Sequence, residues 1–253
     1  MNSANQTGNI LCVQVRGRQL SASIVGADGS PLQSFEEETL DKKLLPQTFI
    51  QKMAGLASAI GSFEAVSIGF PGFICNGTIL EPELYPSKHW KQFPLEAALS
   101  TKLSCPVRVC NITDLLALSM IEGKGFEAVL LLGKFIGVSF FAEGLLLPHF
   151  NLSLHPLKRS GDYKSWIGSK ALEKIGIPKW SKRVADTISI LSNVFRYDQL
   201  YLTGPNLEYL KDVEAINISK IRQPDFLMGG IKLWSIQVFQ KGNPIEETIH
   251  QIA

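Results

Sequence analysis

Val13-Gln14-Val15-Arg16-Gly17-Arg18-Gln19-Leu20, near the start of the chain, holds a turn between two strand-like runs. Its counterpart in mid-chain is Leu132-Gly133-Lys134-Phe135-Ile136-Gly137. Working outward from the first turn, Ile10 to Val15 is a β-branched run and Gln19 to Val25 follows it. Gly26-Ala27-Asp28-Gly29 makes a second turn, and 31–37 a third strand. Around the second turn, Gly133, Gly137 and Gly144 cut an apolar run from Ala128 to Phe150 into strand-length pieces at 127–133, 136–142 and 145–149. Lys134 and Glu143 lie inside that run, and each is expensive at a bilayer centre, so it reads as strands and turns rather than as a membrane span.

The segments between and after these hairpins repeat one order. Pro46 opens a helix to about Ile60 with Phe49, Met53, Leu56 and Ile60 on one face, and a buried-type strand follows at Ala65–Gly69. Asn76-Gly77 marks a hairpin turn, 94–103 reads as a helix, 107–110 as a short strand, and Asp114 to Glu122 as a helix that Asp114 is placed to cap. In the second half, helical stretches at 165–176 and 180–196 precede the alternating strand 199–203 and a further strand at about 213–218. A helix from Asp225 to Gln240 and a short one after Pro244 complete the chain. A duplicated β-β-β-α-β-α-β unit predicts two related α/β lobes, residues 1–122 and 123–253, with a ligand-sized cleft between them.

Composition agrees with a globular chain. Of 253 residues, 45% are hydrophobic and 19% charged, which excludes a disordered chain. Twenty-five basic against twenty-three acidic residues leave a net charge of +2, too weak a bias for a general nucleic-acid binder. Cys12, Cys75, Cys105 and Cys110 form no Cys-x-x-Cys pair or zinc-like cluster, so they read as reduced thiols of a cytoplasmic protein. The stretch Met1 to Asn9 is polar and uncharged, unlike a signal peptide, and is too short for a helix-turn-helix domain. No phosphate loop of the Walker type and no Gly-x-Gly-x-x-Gly after a strand is present. Ser67 faintly suggests a nucleophile elbow, but Phe70-Pro71-Gly72 breaks the helix such an elbow needs, which leaves it a strand residue.

The two hairpins and the duplicated order resemble the sugar-kinase and actin-type ATPase superfamily, within it the ROK family, and specifically its polyphosphate-glucokinase branch. The resemblance runs from about residue 10 to 240 and implies two ribonuclease-H-like lobes of the actin/hexokinase type. It rests on the order of weakened motifs. In the family the first hairpin reads roughly Asp-Ile-Gly-Gly-Thr/Ser and meets the donor phosphates; Gln14, Arg16, Gly17 and Arg18 stand at those positions here. The arginines attract phosphate by charge and also fill the space of a close approach. The second hairpin, Gly-Thr-Gly-Ile-Gly in the family, is Gly133-Lys134-Phe135-Ile136-Gly137 here, so Gly133, Lys134 and Gly137 become its phosphate-side candidates. The nucleotide-side glycine pair survives only as Gly204, followed by Pro205, which has no backbone N–H.

The resemblance also locates the catalytic position. Transfer of phosphate to a sugar uses a carboxylate to take the hydroxyl proton, and the family carries it in Asn-Asp-Ala-Asp/Asn. This chain has Asn111-Ile112-Thr113-Asp114, with Ile112 at the base position, Asn111 at the sugar-contacting asparagine and Asp114 as the remaining carboxylate. Phe70-Pro71-Gly72 stands where the family's sugar loop lies, which makes Gly72 a sugar-side candidate. The family's Glu-Leu-Gly-His becomes Asn151-Leu152-Ser153-Leu154, with His155 one place later. One feature points toward polyanions: Lys158, Arg159, Lys164, Lys170, Lys174, Lys179, Lys182 and Arg183 crowd one segment against Asp162 and Glu173. The leading expectation is a kinase relative with impaired transfer that binds a sugar or phosphate ligand or regulates, in a homodimer as relatives form. Two alternatives stand beside it: an active hexose kinase using Mg²⁺ with ATP or polyphosphate and Asp114 as base, and an interaction protein with a ligand-free cleft.

Overall fold

A computed structural model describes residues 8–26, 28–158, 161–211 and 213–235, with residues 34–37 and 158 described by their backbone alone. The first lobe opens with β1 (Ile10–Arg16), β2 (Gln19–Val25) and β3 (Pro31–Thr39), an antiparallel meander. The buried α1 (Pro46–Ile60) then carries the chain to β4 (Ala65–Phe70), parallel to β1. The hairpin β5 (Gly72–Cys75) and β6 (Thr78–Pro82) and the helices α2 (Ser87–Trp90) and α3 (Leu95–Leu103) precede β7 (Val107–Asn111), parallel to β4. The sheet order is β3-β2-β1-β4-β7. α1 buries the face set by Phe49, Met53, Leu56 and Ile60, as its period requires.

α4 (Ile112–Leu118) leads through a loop to the second lobe: β8 (Phe126–Leu132), β9 (Ile136–Ala142), β10 (Leu145–Leu146), the small hairpin β11 (Pro156–Lys158) and β12 (Gly161–Asp162), and helices α5 (Tyr163–Ile167), α6 (Ser169–Ile175) and α7 (Ile177–Phe195). β13 (Gln199–Thr203) and β14 (Ile218–Lys220) follow, joined through a 3-10 turn at Leu207–Tyr209 instead of an α-helix. The order β10-β9-β8-β13-β14 repeats that of the first sheet, with two antiparallel pairings followed by two parallel ones. Each sheet has its own core, and a third cluster joins them: Leu115, Leu118 and Met120 meet Val129, Phe141 and Tyr201 of the second lobe.

α8 (Phe226–Ser235) returns to the first sheet, where Trp234 Nε1 donates to Ser67 Oγ at 2.7 Å and that hydroxyl donates to the Gly230 carbonyl at 2.7 Å. Ser67 is thus a buried strand residue, as expected. In the loop between lobes, the buried Glu127 carboxylate accepts from the backbone N–H of Glu122, Gly123 and Lys124 and from Tyr201 Oη. These bonds satisfy a carboxylate that would otherwise be costly to bury.

Four expectations need correction. The strand expected at 145–149 stops at Leu146, because Pro148 has no N–H for the ladder. The strand expected at 213–218 begins only at Ile218, after a turn in which Ile218 N–H bonds the Ala215 carbonyl. The helix expected from Asp114 begins at Ile112 and ends at Leu118. Its cap is Asn111, whose Oδ1 accepts from Thr113 N–H at 2.7 Å. The stretch 236–240 and the helix expected after Pro244 lie outside the described residues. Among the described residues no helix is long and apolar enough to cross a membrane.

Candidate functional site

Because both sheets present their first hairpin toward α4, the two turns converge on one interlobe cleft of about 540 Å³. That volume suits a small organic ligand. Arg16, Gly17 and Arg18 line it from the first lobe, and Gly133, Lys134, Phe135 and Gly137 from the second. Ile112, Thr113 and Leu116 of α4 form its floor, with Lys42, Pro71, Glu83, Leu84 and Pro205 around the rim.

The first turn is two residues long, with Arg16 opposite Gln19 across the ladder. Gly17 sits at φ +62°, a conformation that penalises any side chain. Arg16 itself is a strand residue, so it adopts its position without that penalty. Arg18 Nη1 reaches the Leu40 carbonyl at 3.4 Å, and Tyr85 Oη donates to the Gly17 carbonyl at 3.4 Å. Burial pushes the Tyr85 phenol up to about 12 against the pull of Arg18, so it stays a donor. In the second turn, Lys134 and Lys164 lie over the Phe135 ring with Nζ at 5.7 Å and 4.2 Å from its centroid. Gly137 marks a close approach of the lobes: a Cβ there would lie 2.2 Å from Thr113 Oγ1 of α4.

The position to which the resemblance assigns the base is apolar. Ile112 lines the cleft, and isoleucine accepts no proton. Asn111 is buried with both ends of its amide engaged, Oδ1 by Thr113 and Nδ2 by the Gly72 carbonyl at 2.7 Å. Asp114 is 4% exposed and is not among the cleft-lining residues. It accepts from Ser139 Oγ of β9, and His149 Nδ1 lies 3.2 Å from its carboxylate. His149 also packs near Phe73 of β5, with ring centroids 6.0 Å apart. Asp114 and Phe73 belong to the first lobe, and Ser139 and His149 to the second, so this cluster ties the lobes together. Burial alone would lower the His149 pKa; the Asp114 carboxylate, by charge and hydrogen bond, and then Glu83 outweigh it, leaving the pKa above the ordinary 6.5.

Several other sequence candidates stand away from the cleft. Gly72 and Gly204 do not line it, although their neighbours Pro71 and Pro205 do. Asn151 precedes a 3-10 turn at Leu152–Leu154, and His155 is exposed with its ring 5.9 Å from Tyr163. Of the basic segment, Lys170, Lys174, Lys179 and Lys182 are exposed, whereas Arg183 stacks 3.8 Å over Trp166. The side chains of Lys158 and Arg159 lie outside the described residues. The four cysteines are free thiols; burial pushes Cys12 up to about 12 and raises Cys105 and Cys110, which keeps these three protonated. Among the described residues no group of three or more His, Cys, Asp or Glu is arranged to hold a metal ion.

Sequence reasoning missed Lys42, Glu83 and His149. Each comes from a different loop, and none belongs to a local pattern; only the fold places Lys42 and Glu83 on the cleft and His149 behind it.

Two sheets of the same order flanking a cleft define the class of the molecule: it has the two-lobed actin/hexokinase-type fold of ROK sugar kinases. The ROK family model matches residues 10–131. The polyphosphate/ATP-glucomannokinase of Arthrobacter sp. strain KM superposes with a TM-score of 0.77 at 19% identity, covering 90% of this chain and 98% of that one. A ROK glucokinase from Streptomyces griseus, solved with glucose and AMPPNP, gives 0.71 at 12% identity over 89% and 99%. A ROK transcriptional regulator, a homolog of the E. coli MLC protein, gives 0.70 at 13% identity over 90% and 78%. No curated protein matches the sequence.

Proposed function

We propose that this ROK-type chain binds phosphate-bearing ligands in its interlobe cleft and is impaired in phosphate transfer. The observation that carries the reading is a set of four cations, Arg16, Arg18, Lys42 and Lys134, that line the cleft from both lobes. None of them forms an ion pair with a described residue. Unpaired cations in a concave, partly apolar site attract anions more strongly than they do on an open surface. The solved relatives named for ATP, polyphosphate and AMPPNP support a phosphate ligand, and a nucleotide or polyphosphate would bring Mg²⁺ with it.

Impairment follows from the proton acceptor. A missing general base typically costs about a hundred- to ten-thousandfold in rate, and Ile112 occupies the family's base position while Asp114 is engaged by Ser139 and His149. Titration calorimetry with tripolyphosphate tests the binding claim. Saturable binding that weakens with salt, and falls at least about tenfold in the Arg16→Ala/Arg18→Ala double variant, is expected. No binding at low salt, or binding untouched by the double variant, overturns the reading.

A further inference from the structure

Among the described residues that line the cleft, Glu83 is the one carboxylate, set among four cations and the apolar floor of Ile112 and Leu116. It lies just beyond β6, in the segment Glu83-Leu84-Tyr85-Pro86 that leads into α2. The side chain forms no hydrogen bond or ion pair with a described residue, in contrast to Glu81, which pairs with Lys91 at 2.9 Å and accepts from Ser87 at 3.0 Å. A half-buried carboxylate without a protein partner relies on water for its hydrogen bonds, and a ligand that donates them meets the same need.

A bare polyanion does not answer that need, since it repels a carboxylate as the cations attract it. We propose that Glu83 is a specificity-determining residue, accepting hydrogen bonds from ligand hydroxyls, so that the cleft selects a phosphate ester bearing free hydroxyls over a hydroxyl-free polyphosphate. The inference rests on the anion-binding reading above and names the class of ligand for the same site. Phosphate oxygens meet Arg16, Arg18, Lys42 and Lys134, and the hydroxyl-bearing body of the ligand meets Glu83 along the apolar floor. The charged groups acting on Glu83 are His149 from the loop after β10 and Lys164 of α5, while the four cations share the lining of its cleft. Burial pushes the Glu83 carboxyl above the usual range, and His149 and then Lys164 pull against it. The carboxylate form, which only accepts hydrogen bonds, is therefore lost on acidification at a higher pH than for an exposed glutamate.

The test is calorimetric titration of wild type, Glu83→Gln and Glu83→Asp with two probes, glucose 6-phosphate and tripolyphosphate, across pH. Wild type is expected to bind both. Glu83→Gln is expected to weaken glucose 6-phosphate at least about tenfold while leaving tripolyphosphate unchanged or tighter, and Glu83→Asp to keep most of the selectivity. The wild-type preference for glucose 6-phosphate is expected to fall on acidification, and Glu83→Gln to abolish that trend. Equal loss for both probes, or no loss for either, overturns the role of Glu83 while the anion site stands. Failure of wild type to bind tripolyphosphate overturns the anion reading, and this inference with it.

Discussion

The two lobes share one strand order but spend their residues differently. In the first, the third strand β3 runs nine residues and the last crossover is the helix α3; in the second, β10 has two residues and the crossover shrinks to a 3-10 turn. The strands that deliver the cleft are equal: β1, β2, β8 and β9 have seven residues each. Variation therefore sits at the sheet edges, where it leaves the two hairpin turns in register with α4. The turns themselves differ in chemistry, with Arg16-Gly17-Arg18 on one side and Gly133-Lys134-Phe135 on the other. A scaffold can hold its geometry while the side chains at its functional rim change, because core packing and rim chemistry depend on different residues.

The largest effects test whether the two cores act as one unit. Trp90 and Trp180 are fully buried, and each indole donates to a backbone carbonyl at 2.8 Å, that of Leu44 and that of Ile167. Trp90→Ala and Trp180→Ala should each cost about 3–5 kcal/mol. Differential scanning calorimetry should show one transition lowered in both variants, because the interlobe cluster couples the sheets. Two separate transitions would mean that the lobes unfold independently.

A somewhat smaller effect concerns the bond between lobes. His149 gains its raised pKa from a partner present only in the folded state, so its contribution is fully present below the ordinary 6.5 and is lost as pH rises through the folded value. His149→Asn should cost about 3 kcal/mol at pH 6, since it leaves Asp114 buried without its partner, and should flatten the decline of stability above neutral pH. Urea unfolding at pH 6, 7, 8 and 9 measures both. A wild-type stability that does not fall over this range would remove the charged pair from the account.

The smallest effect compares the glycines of the two turns. Gly17→Ala meets no atom within 4 Å but keeps φ +62°, and should cost about 1 kcal/mol. Gly137→Ala drives a methyl into Thr113 and should cost more, about 1–3 kcal/mol, while loosening the approach of α4 to β9. Equal costs in thermal denaturation would break the distinction between a backbone requirement and a packing requirement.

Much of this was legible in the sequence because it is local. A β-branched run marked β1, spaced glycines cut out β8 and β9, and alternation marked β13; Pro46 and the spacing of Phe49, Met53 and Leu56 fixed α1; and Asn111-Ile112-Thr113-Asp114 marked a strand running into a helix. Asp114 is not the cap because the helix starts one turn earlier, where Asn111, an equally good capping residue, accepts from Thr113 N–H. Lys42, Glu83 and His149 were not legible. Lys42 and Glu83 sit in connecting loops, and His149 follows Pro148 at the end of an apolar run that reads as strand. Their meaning arises only when separate chain segments, such as Phe73 and Asp114 on one side and Ser139 and His149 on the other, meet across the lobes.

The account rests on a cleft that holds phosphate without an effective proton acceptor. The most direct test is formation of glucose 6-phosphate from glucose at high protein concentration, with Mg²⁺ and either ATP or polyphosphate as donor. The account predicts no turnover above background with either donor, although tripolyphosphate binds. Sustained turnover that follows the protein through purification and disappears in Asp114→Asn would contradict it and make Asp114 the base.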